Sequence, residues 1–179
     1  MQMSGVEYVI LGTLSWRPLT GYEIKQIVDS STRFFWAASY GQIYPELRRL
    51  AAAGLVEAES DDTGNRRRIR YSLTPAGRDR LAAWLRAPGA GYELRDEGLL
   101  KLFFARALPP EEHADVVRAL RADREQVLEQ LRDVERRGVG TGTSRLVLEY
   151  GLRNHEWEVE WCSDVERRLE QTPSEEIAG

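Results

Sequence analysis

The stretch ASYGQIYPELRRLAAAGLVE, residues 38–57, decides how the first half of this chain folds. Ile43, Leu47 and Leu50 recur at i, i+4 and i+7, which gathers them on one face of a helix. Gln42, Glu46 and Arg49 form a second face, with Tyr40, Tyr44 and Arg48 between the two. Pro45 cannot donate an interior backbone hydrogen bond, so the spacing predicts a helix starting near Gly41 or Gln42, with the proline in its first turn. Gly54 then ends the helix at a left-handed cap position.

Upstream, VEYVILGTLSW (6–16) carries apolar residues at helical spacing, and Pro18 closes that segment. TGYEIKQIVDSS follows, in which Thr20 and Glu23 make a T-x-x-E capping box ahead of a stripe of Tyr22, Ile24, Ile27 and Val28. Downstream, LVEAE (55–59) and RRIRYSL flank SDDTGN, whose Gly64 and Asn65 tolerate the backbone of a hairpin tip. Ile69, Tyr71 and Leu73 alternate with Arg68, Arg70 and Ser72, so one strand face is expected to be buried and the other cationic. Thr74 and Pro75 open a fourth helix carrying Leu81, Trp84 and Leu85. Three helices, a hairpin and a helix describe a winged helix-turn-helix spanning residues 1–88.

APGAGYEL (87–94) reads as a linker, and residues 89–179 form a second, α-helical unit. A helix is expected over 95–107, with Leu99, Leu100, Leu102, Phe103 and Phe104. From about Glu111 to Arg137, Val117, Leu120, Val127, Leu131 and Val134 keep a seam that Arg124 interrupts. After the turn GVGTGT, Val147, Tyr150, Trp157, Trp161, Val165 and Leu169 line another long face. Two helices each roughly 40 Å long would leave an apolar stripe bare on a monomer, so a second copy is the economical cover. Leu99, Leu102, Phe103, Leu120, Val127, Leu131, Tyr150, Trp157 and Trp161 are the dimerisation candidates. Trp157 and Trp161, one turn apart, could also stack on a flat effector, although core or dimer-seam packing explains them as well.

Bulk properties narrow the function. The chain has 179 residues and a net charge of −4, but residues 1–88 hold 12 Lys/Arg against 9 Asp/Glu and the remainder 13 against 20. Only the N-terminal half suits a polyanion. A single cysteine, Cys162, and two histidines, His113 and His155, provide no metal-site spacing and no nucleophile with its base, so neither a cofactor nor an enzyme is expected. No apolar run reaches membrane-span length and the N-terminus lacks a secretory pattern, which makes the cytoplasm the expected compartment.

Tyrosine hydroxyls, Gln42 and an arginine fork can reach phosphates or base edges, and the arginines at 66–70 sit at a hairpin tip beside that helix. A packed Tyr44 and a merely solvated arginine run remain open. GYEIKQIV, SYGQIYPELRRLAAAGLVE and RRRIRYSLTPAGRDRL together resemble the N-terminal domain of the PadR family of transcriptional regulators, and DEGLLKLFFA and VLEYGLRNHEWEVEW resemble the C-terminal dimerisation domain of its longer subfamily. That resemblance implies a homodimer on an inverted-repeat operator of double-stranded DNA, acting as a repressor; some members of the family are released by a small molecule, so a small aromatic or amphiphilic effector is one expectation and a constitutive repressor the other. It implies DNA contact by Tyr22 and Lys25 near the start of the second helix. The recognition helix would contribute Ser39, Tyr40, Gln42, Tyr44 and Arg48, and the wing Arg66, Arg67, Arg68 and Arg70. The alternative is a winged helix that faces a protein instead of DNA.

Overall fold

Side chains of Thr20, Ser39 and Thr74 cap the starts of three helices in the N-terminal unit of the computed structural model, which describes residues 5–61, 68–89, 94–138 and 140–171. Helix α1 (Gly5–Leu14) precedes a short strand, β1 (Leu19–Thr20), and then α2 (Gly21–Ser30). The capping box forms: the Glu23 amide donates to the Thr20 hydroxyl at 3.2 Å, and the Thr20 amide donates to the Glu23 carboxylate at 2.7 Å. Helix α3 (Tyr40–Ala52), strands β2 (Val56–Asp61) and β3 (Arg68–Leu73), and helix α4 (Pro75–Arg86) complete the unit.

The third helix starts earlier than its proline suggests. Ser39 is the cap, held by bonds from its amide and hydroxyl to the Gln42 side-chain oxygen, so Pro45 lies inside the helix in its second turn. The proline costs the bond that residue 45 would have donated to the Gly41 carbonyl. Gly54, at φ 69°, ends the segment as expected.

The sheet has three strands in the order β1-β3-β2, all antiparallel, with Leu19 opposite Tyr71 on one side and Val56 opposite Leu73 on the other. Tyr71 and Leu73 are buried, but Ile69 is 49% exposed, contrary to the alternation. β1 pairs only as far as Arg70, and beyond it the β2–β3 hairpin runs out past the elements that would cover residue 69. At the other end of the hairpin, the Thr74 hydroxyl accepts from the Gly77 amide at 3.0 Å, capping α4, and its proton is shared between the Gly54 and Leu55 carbonyls at 2.8 and 3.0 Å. A Cβ on Gly77 would sit 2.1 Å from the Leu55 oxygen, so α4 docks on the β2 entry only because that residue is glycine.

Ile10, Leu11, Leu19, Ile24, Val28, Ile43, Leu47 and Leu50 form the core, each contributing about 1.5–3 kcal/mol of transfer free energy. Within it lies one charged side chain with no solvent exposure, Glu7 of α1. Arg49 of α3 donates to Glu7 at 2.7 Å and to Glu46 at 2.6 Å, and Arg80 of α4 reaches Glu7 at 3.4 Å. The hydrogen bond to Glu46 is the main cause of a raised Arg49 pKa, so this guanidinium stays charged. Tyr8 stacks on Trp84 at 4.2 Å and seals the α1–α4 contact beside the cluster.

The chain divides into two compact units, Met1–Ala90 and Gly91–Gly179. In the second, α5 (Glu97–Phe103) is capped by Asp96 and gives way to a 3-10 turn at Ala105–Ala107, so it is shorter than the expected 95–107 helix. Pro110–Glu112 forms another 3-10 turn before α6 (His113–Arg136), which packs along α7 (Thr143–Gln171). Those lengths correspond to about 36 and 44 Å.

The seam between these helices differs from expectation. Leu120 and Leu131 are buried in their own subunit with Val117, Leu128, Leu148, Leu152, Cys162 and Val165, and Leu102 and Trp161 are partly buried against Val117, Leu120, Cys162 and Val165. Val127 is half-buried, and Leu128 takes the inward place. Arg124 does not break the seam, because it pairs with Asp96 and lies 3.5 Å from Glu158.

Arg49→Met would leave the Glu7 carboxylate buried with only its more distant partner. The expected loss is about 2–3 kcal/mol in equilibrium urea unfolding, with part of it recovered when Glu7→Gln is added. Equal stability of the R49M and natural proteins would show that the cluster does not hold the three helices together.

Candidate nucleic-acid interface

The sequence from Thr20 to Gln26 turns one helical face towards α3 and β3, and this leaves a groove of about 1000 Å³ between them. Tyr22 and Gln26 come from α2, Tyr44 and Arg48 from α3, and Arg68, Ile69 and Arg70 from β3, with Tyr71 also lining it. Burial pushes the Tyr71 hydroxyl pKa up, with neighbouring Tyr44 adding to the shift and Arg48 opposing it. The ring of Tyr44 lies where a Cβ on Gly21 would be, 2.6 Å from the nearest ring carbon, so glycine at the start of α2 admits the tyrosine.

The tyrosines are exposed yet held. Tyr40 stacks on Tyr44 with centroids 6.1 Å apart, and the Lys25 ammonium lies 5.4 Å from the Tyr40 ring centroid. Gln26 donates to the Tyr22 hydroxyl at 3.1 Å. Tyr40 and Tyr44 keep 43% and 42% of their surface open, so neither is core packing. Ser39 and Gln42 are exposed at the start of α3 and bonded to each other.

The cations fall into two groups. The Lys25 side chain is only 15% exposed and pairs with Asp29 one turn on. Arg70 lies 3.7 Å from Glu23 and donates to the Pro18 carbonyl at 3.3 Å, bracing β3 against the start of α2. Arg48 and Arg68, by contrast, are exposed and form no ion pair among the described residues. Arg66 and Arg67 lie outside the described residues. The Glu23 carboxyl pKa is lowered chiefly by its bond from the Thr20 amide, with Arg17 and Arg70 adding to it, so it remains an anion that anchors these arginines. Three roles escaped the sequence reading. Gln26 as the Tyr22 partner was signalled by its i+4 spacing, but Ile69 as an open apolar side chain and Arg70 as a brace had no local signal.

In the C-terminal unit, Leu99, Phe103, Tyr150 and Trp157 remain exposed, Phe103 at 78% and Tyr150 at 70%. Trp157 and Trp161 stack with centroids 6.4 Å apart. Cys162 is buried, which raises its thiol pKa, and it packs as a small apolar side chain. Among the described residues no group of His, Cys, Asp or Glu is arranged to hold a metal ion, and no helix is long and apolar enough to cross a membrane.

Residues 10–83 match the model of the transcriptional regulator PadR-like family. These residues form a PadR-like domain. Residues 94–170, in the C-terminal unit, match the model described as virulence activator alpha C-term. The negative transcriptional regulator PadR of Bacillus subtilis is 33% identical over 116 residues, covering 64% of this chain and 64% of that protein. A probable transcriptional regulator of Mycobacterium tuberculosis is 29% identical over 92% of this chain and 97% of its own length. The crystal structure of Bacillus subtilis PadR in complex with operator DNA matches with a TM-score of 0.84 at 27% identity, covering 93% of this chain and 99% of that one. The same protein in complex with p-coumaric acid matches with a TM-score of 0.75 at 26% identity, covering 93% and 96%. The PadR-like winged helix and the C-terminal helices therefore share the architecture of those regulators.

Proposed function

We propose that this PadR-like chain is a homodimeric repressor that binds an inverted-repeat DNA operator, each subunit offering the groove between α2, α3 and β3 to one half-site. The observation that carries the reading is the convergence of Tyr22, Tyr44, Arg48 and Arg68 on one open groove beside the start of α3. The operator complex of the Bacillus relative supports DNA as the ligand, and that relative's description as a negative regulator supports repression. Tyr22, Lys25, Ser39, Tyr40, Gln42, Tyr44, Arg48, Arg66, Arg67, Arg68 and Arg70 make up the proposed surface. Arg48, Arg66, Arg67 and Arg68 are the phosphate contacts, while Lys25 and Arg70 shape the surface from behind.

The C-terminal helices set the separation of the half-sites. Leu99, Phe103, Tyr150 and Trp157 are the dimer contacts that a second subunit covers, since this apolar area is left open on one subunit. A flat aromatic acid is the proposed releasing molecule, by analogy with the p-coumaric acid complex of the relative, and the Trp157–Trp161 stack is its proposed site.

Selection from a genomic DNA pool is expected to return a pseudo-palindrome, and the log–log salt slope of binding reports how many phosphates the protein neutralises. Replacing Arg66, Arg67 and Arg68 with Ala should lower the slope by about one for each phosphate left without its arginine, and Arg48→Met by about one more, whereas Lys25→Met should leave it unchanged. An unchanged slope in the triple variant would remove the wing from the interface.

Phe103→Glu combined with Tyr150→Glu should halve the solution mass measured by light scattering, because both substitutions place a charge in the proposed seam without touching the subunit core. A dimer that persists would put the contact elsewhere. Titration with p-coumaric acid should quench tryptophan emission and weaken operator binding, and Trp157→Phe should remove both responses; emission and affinity that do not change would rule out this effector class.

A further inference from the structure

The cap at the start of α3 uses up half of the Gln42 carboxamide. The Ser39 amide donates to the Gln42 side-chain oxygen at 3.0 Å, and the Ser39 hydroxyl donates to the same oxygen at 3.1 Å. A backbone N–H can only donate, so the atom it meets must be the carboxamide oxygen and not the nitrogen. A carboxamide oxygen has two lone pairs, and these two bonds fill both. What Gln42 still presents to solvent is its NH2 group, a pair of donors with no acceptor beside it. The residue is exposed, two positions into the helix end that borders the groove.

We propose that Gln42 is a specificity-determining residue that reads DNA as a donor only, selecting a base whose major-groove edge offers acceptors. This inference rests on the DNA-binding reading above. A free glutamine pairs with adenine through both halves of its amide, giving a hydrogen bond to N7 and accepting one from N6. Gln42 cannot complete that pair, because its oxygen is spent on Ser39 and the adenine N6 donor would meet a saturated atom. Guanine, with N7 and O6, and thymine, with O4, offer acceptors and no major-groove donor. Cytosine offers only its N4 donor. The Ser39 cap thus converts a residue of usual adenine preference into one that favours guanine or thymine.

Two substitutions separate this role from simple capping. Gln42→Glu keeps an acceptor at the third helical position, so the capping box survives, but it deletes both donors. Ser39→Ala removes one of the two donors to the oxygen and frees a lone pair, which readmits adenine. Binding is measured for the natural protein and both variants against an operator half-site carrying each base at each position, with far-UV circular dichroism melts to check that the variants fold. At the position where Gln42→Glu alters the preference, the natural protein should favour guanine or thymine over adenine and cytosine by about fivefold to fiftyfold. Ser39→Ala should narrow the gap to adenine at that position alone. If guanine is the favoured base, 7-deazaguanine should weaken the natural protein and leave Gln42→Glu unaffected.

A natural preference for adenine or cytosine that disappears in Gln42→Glu would overturn the proposal, as would identical preferences of the two proteins at every position. Failure of the natural protein to bind any duplex is a different result, since it would remove the DNA-binding reading itself.

Discussion

A buried carboxylate organises the N-terminal unit. Glu7 is closed off from solvent, and a charge in that position is tolerable only if cations are held against it. Arg49 and Arg80 supply them, and because they come from α3 and α4 while Glu7 belongs to α1, satisfying one charge fixes the mutual placement of three helices. Apolar packing alone would tolerate small rotations of α3 about its axis. The ion cluster does not, because a turn of the helix would pull the guanidinium away from Glu7. The orientation of Tyr44 and Arg48 towards the groove is thus tied to a bond on another side of the same helix.

Local devices then set the surface itself. The Thr20–Glu23 box begins α2 where its first residue, Gly21, can admit the Tyr44 ring, and the same Glu23 anchors Arg70 of β3. One carboxylate therefore starts a helix and braces a strand. Lys25 and Gln26, next along α2, attach to Tyr40 and Tyr22. The tyrosine side chains are accordingly restrained before any ligand arrives, which reduces the rotamer entropy that binding would otherwise cost.

Much of this was legible in the chain. The capping box, the glycine at 54, the hairpin and the stripe of Ile43, Leu47 and Leu50 follow from local chemistry, and the structure carries each of them. β1 was not legible, since two residues hold no periodicity and Thr20 already had a role as a cap. The start of α3 lies ahead of the place Pro45 alone suggests, because the Ser39–Gln42 cap offsets the cost of the proline. Spacing also could not say whether Leu120 and Leu131 meet a second subunit or their own α7, because a 3-4 seam looks the same in both cases. The same limit applied in part to the groove cations. The i+4 spacing of Lys25 and Asp29 signals their pairing, but only the fold shows that Glu23 lies beside Arg70.

The wing also has a polarity. β3 lies in the middle of the sheet, so β2 is its outer edge, and Glu57 and Glu59 are exposed there, Glu59 directly opposite Arg70. An outer strand is an invitation to pair with a foreign strand, and carboxylates along it discourage such growth. They also give the hairpin unlike margins, acidic along β2 and cationic towards the groove. The field along the hairpin therefore runs in one direction across its width, and an anion meets a less favourable potential on the β2 side than on the groove side.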